Sequence, residues 1–142
     1  MLKNPPEGYH TLTPQTIVED AHATIDFLVD VFGADVKEIY EDDGFVHHAE
    51  LFIGDSIVMV ASASEDFPAF PFIMNVYVED VDTTFASAVE HGATPLREPT
   101  DQFYGDRTGG VLDSQGNQWW ISTHIEDVSE EEIRRRMAEM SG

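Results

Sequence analysis

Along this chain, stretches with a hydrophobic period of two give way to stretches with a period near 3.6, twice and in the same order. Thr16-Ile17-Val18-Glu19-Asp20 is a β-rich run ending in an Asp suited to cap a helix. The next residues place Ala21, Ile25, Leu28, Val29 and Phe32 on one helical face before Gly33. Roughly sixty residues later Val76-Tyr77-Val78-Glu79-Asp80 leads into a second helix, with Val81, Phe85, Ala88 and Val89 on one face before Gly92. Both glycines suit the left-handed conformation that closes a helix.

Three strand-like runs follow each helix. In the first half they cover 35–41, 45–53 and 56–62, with turns at Asp42-Asp43-Gly44 and Gly54-Asp55. In the second half they cover 94–99, 107–112 and 118–124, with a turn at Asp113-Ser114-Gln115-Gly116-Asn117. Both halves therefore read β-α-β-β-β, over 11–62 and 71–124, and predict an α+β fold of two modules in one domain spanning 1–142. A third helix is predicted over 129–140. Ser129 is its N-cap, Glu132 completes a capping box, and Arg134-Arg135-Arg136 serve the helix and its acidic neighbours.

Composition changes the picture mainly through charge. Twenty-eight Asp and Glu face seven Lys and Arg, a formal net charge of −21. Such a chain is repelled by phosphate backbones and anionic lipid, which argues against nucleic acid and membrane as partners. The acids are spread along the whole sequence, so they should coat the surface, as suits a salt-rich cytoplasm where the charge is screened. There is no cysteine, hence no disulfide, thiolate nucleophile or Cys-based metal site. No apolar run approaches the roughly 20 residues that span a bilayer, and MLKNPPEGYH lacks a signal-peptide core, so the expected location is cytoplasmic.

Several stretches in this order carry a resemblance. They are Thr13-Pro14 through Glu19-Asp20-Ala21, Phe32-Gly33-Ala34, His48-Ala49-Glu50-Leu51 with Ile53-Gly54-Asp55, Tyr77 through Asp82, Asp101 through Arg107, Asp113 with Gly116, and His124 through Ser129. With the tandem β-α-β-β-β order, the chain resembles the vicinal oxygen chelate superfamily of glyoxalases, bleomycin-resistance proteins and extradiol dioxygenases, and within it the PhnB-like branch. The resemblance implies half-open barrels around a cleft and a homodimer. It also implies a divalent metal held by His or Glu on the first and last strands of each module. Family spacing places those four positions at Thr13, Met59, Ile73 and Trp120, and neither these nor their immediate neighbours are ligands for such a metal.

Strand alternation then selects the cleft face. It turns Gln15, Asn75, Tyr77, Trp120, Ser122 and His124 inward, while Phe72, Met74, Val76 and Val78 face a helix. Ala49, Leu51 and Ile53 face the other helix, which turns His48, Glu50 and Phe52 to the cleft and His47 away from it. Phe103 and Tyr104 add further aromatic wall. Such a mixture suits a small organic ligand, and acidic walls would suit a cationic one. His48 and Glu50, on one face of one strand, are a candidate proton-sharing pair; the alternative is two satisfied polar residues at a wet sheet edge. Arg107 is a candidate anion clamp, or else an ion-pair partner of Asp106 or Asp113. His10, His22 and His91 have no partner in the sequence pattern. Two functions follow: a binder of a small aromatic or amphipathic molecule needing no cofactor, or a lyase, isomerase or dioxygenase using a divalent metal on displaced ligands such as His48, Glu50 and His124.

Overall fold

The computed structural model describes residues 1–141, and its elements follow the duplicated pattern. The first half comprises β1 (Gln15–Val18), α1 (Ala21–Phe32), β2 (Asp35–Asp42), β3 (Phe45–Ile53) and β4 (Ser56–Ser62). The second comprises β5 (Ile73–Tyr77), α2 (Val81–Glu90), β6 (Thr94–Asp101), β7 (Asp106–Leu112) and β8 (Gln118–His124), followed by α3 (Glu130–Ser141). Each half forms a four-stranded mixed sheet, ordered β1-β4-β3-β2 and β5-β8-β7-β6, whose first strand pairs in parallel with its last. Neither sheet closes into a barrel, and the fold is α+β.

Local signals explain the helices. The Asp20 carboxylate accepts from Ala23 N at 3.1 Å, and Asp80 does the same for Asp82 and Thr83. Gly33 closes α1 at φ 65°, a backbone conformation that a side chain disfavours. At α3, Ser129 Oγ accepts from Glu132 N at 3.2 Å, but the reciprocal half of the predicted capping box is absent. The Glu132 side chain pairs instead with Arg135 and Arg136, which hold its carboxyl down to about 2. Two arginines pull harder than one backbone N–H.

The helix-facing side of both sheets is one continuous core. Leu28, Val46, Leu51, Val60, Val111, Trp119 and Ile121 are fully buried, with Phe72, Met74, Val76 and Val78 packed against them. Trp119 joins the halves: its ring lies 6.4 Å from Phe27, 5.4 Å from Phe32 and 5.2 Å from Phe72. The turn at 113–117 is built into this joint. Asp113 accepts from the Trp119 indole at 2.8 Å and the Asn117 amide at 2.9 Å, while Thr16 of β1 donates to Asn117 at 2.5 Å. Helices and core thus occupy one side of each sheet, which leaves the opposite, concave faces for chemistry.

Candidate functional site

The strand register aligns side chains in rows across each concave face. In the first sheet Gln15, Met59, Glu50 and Glu38 form one row from β1 to β2. In the second, Asn75, Trp120, Gly110 and Arg97 form the corresponding row from β5 to β6. No hydrogen bond or ion pair links the polar groups of the two faces among the described residues.

The first face is a carboxylate–imidazole cluster. Glu50 is buried, and its two oxygens divide between partners: one accepts from the Tyr9 hydroxyl, the other lies 3.2 Å from His48 Nε2. Lys37 Nζ donates to the Tyr9 hydroxyl at 3.1 Å, and the Tyr40 hydroxyl donates to Glu38 at 2.7 Å. Hydrogen bonding to Glu50 and then to Tyr40 holds the Glu38 carboxyl below its ordinary range. One ligand atom each from Glu38, His48 and Glu50 lies within 4.8 Å of the others. Tyr9 and Glu38 were missed by sequence reasoning. Tyr9 arrives from an N-terminal segment with no periodic signal, and Glu38 depends on a register that a bulge displaces.

A second register shift corrects the placement of His47. β2 and β3 slip between Tyr40 and Glu41, leaving His47 unpaired, so strict alternation fails there. Phe45 and His47 consequently line a hollow of about 320 Å³ with Gln15, Ile17, Ala61 and Phe67. Phe52, by contrast, is half-buried beside the N-terminal segment at Gly8. His22 is not partnerless: its Nε2 lies 2.6 Å from Glu41, whose hydrogen bond raises the imidazole pKa.

The second face is built around an aromatic shelf. Trp120 lies over Gly110, where an added Cβ would come within 2.5 Å of the indole ring. Its Nε1 donates to Gln118 at 3.1 Å, and the Arg97 guanidinium carbon is 5.1 Å from the ring centroid. Ser122 is buried and donates to Asn75 Oδ1 at 2.9 Å, with Thr108 3.0 Å away, so it braces Asn75 rather than facing a ligand. Tyr77 donates to the buried Asp106 at 2.7 Å. His124 binds Asp106 through Nδ1 at 2.8 Å and Asp127 through Nε2 at 2.7 Å. Asp127 first, then Asp106, raise the His124 pKa above 6.5, and the Asp106 hydrogen bond raises that of Tyr77. A hollow of about 300 Å³ adjoins this face where the halves meet, lined by His10, Pro14, Ile53, Met74, Asn75 and Tyr77.

One expected site residue, Arg107, is engaged elsewhere. Arg107 makes two bonds to Asp82, at 2.9 and 3.0 Å, and one to Asp101 at 3.0 Å, so its fork is filled by α2 and β6 rather than free for an anion. Neither Asp106 nor Asp113 is its partner, because Tyr77 and His124 occupy the first and the 113–117 turn the second. Phe103 and Tyr104 stack edge-on at 5.2 Å in the 102–105 turn. The Phe103 carbonyl accepts from Arg136 of α3 at 3.0 Å, which ties that turn to the C-terminal helix.

The family model described as the Glyoxalase/Bleomycin resistance protein/Dioxygenase superfamily matches residues 10–121. The chain belongs to this superfamily. The uncharacterized protein Rv0887c of Mycobacterium tuberculosis (strain ATCC 25618 / H37Rv) is 32% identical over 142 residues, covering 89% of this chain and 82% of its own. Among solved structures, TioX from Micromonospora sp. ML1 superposes with a TM-score of 0.69 at 28% identity, covering 80% of this chain and 98% of its own. A superfamily enzyme from Burkholderia phytofirmans PsJN gives 0.66 at 20% identity, over 80% of this chain and 97% of its own, a likeness of fold alone.

Superfamily membership raises the question of a divalent metal. The four positions at which the resemblance expects ligands carry Thr13, Met59, Ile73 and Trp120, a donor set that does not fit one. The displaced set anticipated from the sequence divides. His48 and Glu50 do converge, with Glu38 as their third member, and two carboxylates with an imidazole are suitable ligands. His124 belongs to the other sheet, and both its nitrogens are engaged by carboxylates.

Proposed function

We propose that the chain binds a small aromatic or amphipathic organic molecule on the concave face of its second sheet, with no metal at the superfamily's four usual positions. Trp120 carries this reading. Its indole is laid flat by the absence of a side chain at Gly110 and held by Gln118, beside Tyr77 and Asn75, on a face turned away from the core. Ile73 and Tyr77 on that face are each 63% exposed, which suits closure by a ligand and by a second copy of the chain. The resemblance to bleomycin-resistance proteins supports sequestration; the PhnB-like wording of the motifs is compatible with it.

The test is a fluorescence-quenching screen of aromatic and amphipathic compounds. Wild-type protein is compared with Trp120→Ala, and light scattering reads the mass. The expected result is hits whose affinity falls at least about tenfold in Trp120→Ala, the loss of one stacked ring worth over 1 kcal/mol. Hits indifferent to Trp120, or none, overturn the reading. The acidic surface is proposed to suit a salt-rich cytoplasm, and melting temperature should then rise with added KCl.

A second reading is favoured by one observation, the convergence of Glu38, His48 and Glu50. These residues would hold a divalent ion for a metal-dependent lyase, isomerase or dioxygenase. An ion there supplies Lewis-acid polarisation of a substrate oxygen. Tyr9 would then position Glu50, and His48 would serve as the nitrogen ligand. Chelator-removable metal at one ion per chain, lost in Glu50→Gln, supports this reading; absence of uptake by titration with Zn²⁺, Mn²⁺ or Fe²⁺ overturns it.

A further inference from the structure

We infer that the second sheet's concave face carries a site for one anionic group, built on Arg97, and that the molecule it takes is a planar aromatic carboxylate. This inference rests on the binding reading above and names its ligand class.

Basic side chains are scarce in this chain beside its acids. Of seven Lys and Arg, six have a carboxylate within reach: Lys3 with Glu7, Lys37 with Glu38, Arg107 with Asp82 and Asp101, Arg134 with Glu130, Arg135 with Glu132 and Glu139, and Arg136 with Glu126 and Glu132. Arg97 is the seventh. Among the described residues it has no ion pair, although 28 acids are available in the sequence. An arginine kept free of acids on a surface this acidic is a standing exception.

Its position is specific. Arg97 pairs with Gly110, which pairs with Trp120, so the indole crosses β7 over Gly110, where no side chain projects on this face, and reaches the guanidinium on β6. The guanidinium carbon sits over the indole ring, and among the described residues no hydrogen bond or ion pair takes its N–H groups, so its donor edge is free. That edge matches a carboxylate bidentately. The Asp106 carboxylate, the buried acid of this face, is taken by Tyr77 and His124 and does not compete. A flat apolar shelf with a free planar donor at its rim fits a ligand with the same two parts: an aromatic ring for Trp120 and a carboxylate for Arg97. The charge of −21 disfavours multiply charged anions, which leaves a monoanion as the suitable form.

The experiment uses 2-naphthoate and its neutral isostere 2-naphthamide as probes, titrated calorimetrically in about 1 M KCl, where the Debye length is ~3 Å. The expected result is naphthoate binding about tenfold tighter than the amide, the effect of one charge-assisted hydrogen-bonding pair. Arg97→Gln should erase that difference while leaving amide binding within about twofold, since the shelf remains. Trp120→Ala should weaken both probes. Equal affinity for the two probes, a difference that survives Arg97→Gln, or no binding of either overturns the inference; the wider screen decides the binding reading separately. A change of oligomeric state in Arg97→Gln also overturns it, because the guanidinium would then be answered by an acid of a second copy. Circular dichroism of the variant, altered at an exposed position, checks that the fold is kept.

Discussion

The two sheets share one topology and the same register across their central row, yet their concave faces carry opposite chemistry. Position by position, Gln15 corresponds to Asn75, Met59 to Trp120, Glu50 to Gly110, and Glu38 to Arg97. Two of these exchanges decide the character of each face. Where the first sheet has a buried carboxylate, the second has nothing, and an indole fills the space. Where the first has a half-buried acid, the second has the unpaired arginine. A duplicated backbone fixes where side chains project, and the residue placed there decides whether the surface gathers cations or presents a shelf.

The largest expected effect comes from breaking the joint between the halves. Trp119→Ala should cost about 3–5 kcal/mol in urea unfolding, from the cavity and the loss of the donor to Asp113. Val58→Ala, at the equivalent position of β4, should cost only about 2 kcal/mol because two methyl groups are lost and no polar partner is stranded. Comparable losses would mean that the second half does not depend on Trp119 as described.

Next in size is Gly110→Val, which gives the second sheet a side chain at the position where the first has Glu50. Either the indole or the strand must shift, at about 1–3 kcal/mol, and the near-UV circular dichroism of Trp120 should change. An unchanged spectrum would show that the ring does not rest on Gly110.

The two faces should also respond to pH in opposite senses. Glu38 has its pKa lowered by folding, so its stabilisation is present above about 4.5 and lost as pH falls through the folded-state value. His124 has its pKa raised, so its stabilisation is full below about 6.5 and lost as pH rises through the folded-state value. Glu38→Gln should flatten the acid limb of a stability–pH curve, and His124→Gln the neutral-to-alkaline limb. Imidazole chemical shifts test the second point directly: His124 should titrate above 6.5.

The smallest effect belongs to Arg107→Ala. Its ion pairs with Asp82 and Asp101 involve exposed carboxylates, so stability should fall only slightly and probe binding on the second sheet should not change. A loss of binding would return the anion-clamp role to Arg107.

Much of the fold is legible because its signals are local. Asp20 and Asp80 cap helices through bonds to residues two or three positions away, and β3, β4 and β8 match their predicted limits. Alternation placed Trp120, Asn75 and Tyr77 on one face for the same reason. It failed at His47, where a single extra residue in β3 breaks the period. It also could not choose between arginines: Arg107 lies in a conspicuous motif and Arg97 in none, and only their partners separate them.

By itself, then, the sequence determined the repeated β-α-β-β-β order, the helix caps at Asp20 and Asp80, the core face of β5 and the net charge, the first three set by neighbours within a few positions. The tertiary structure alone decided that Tyr9 reaches Glu50, that Glu38 joins His48, that Asp82 and Asp101 occupy Arg107, and that Gly110 opens a path from Trp120 to Arg97. Each of these depends on strand register or on a contact between distant segments. A side chain's chemistry follows from its identity, but whether that chemistry is free for a ligand follows from what folding brings against it.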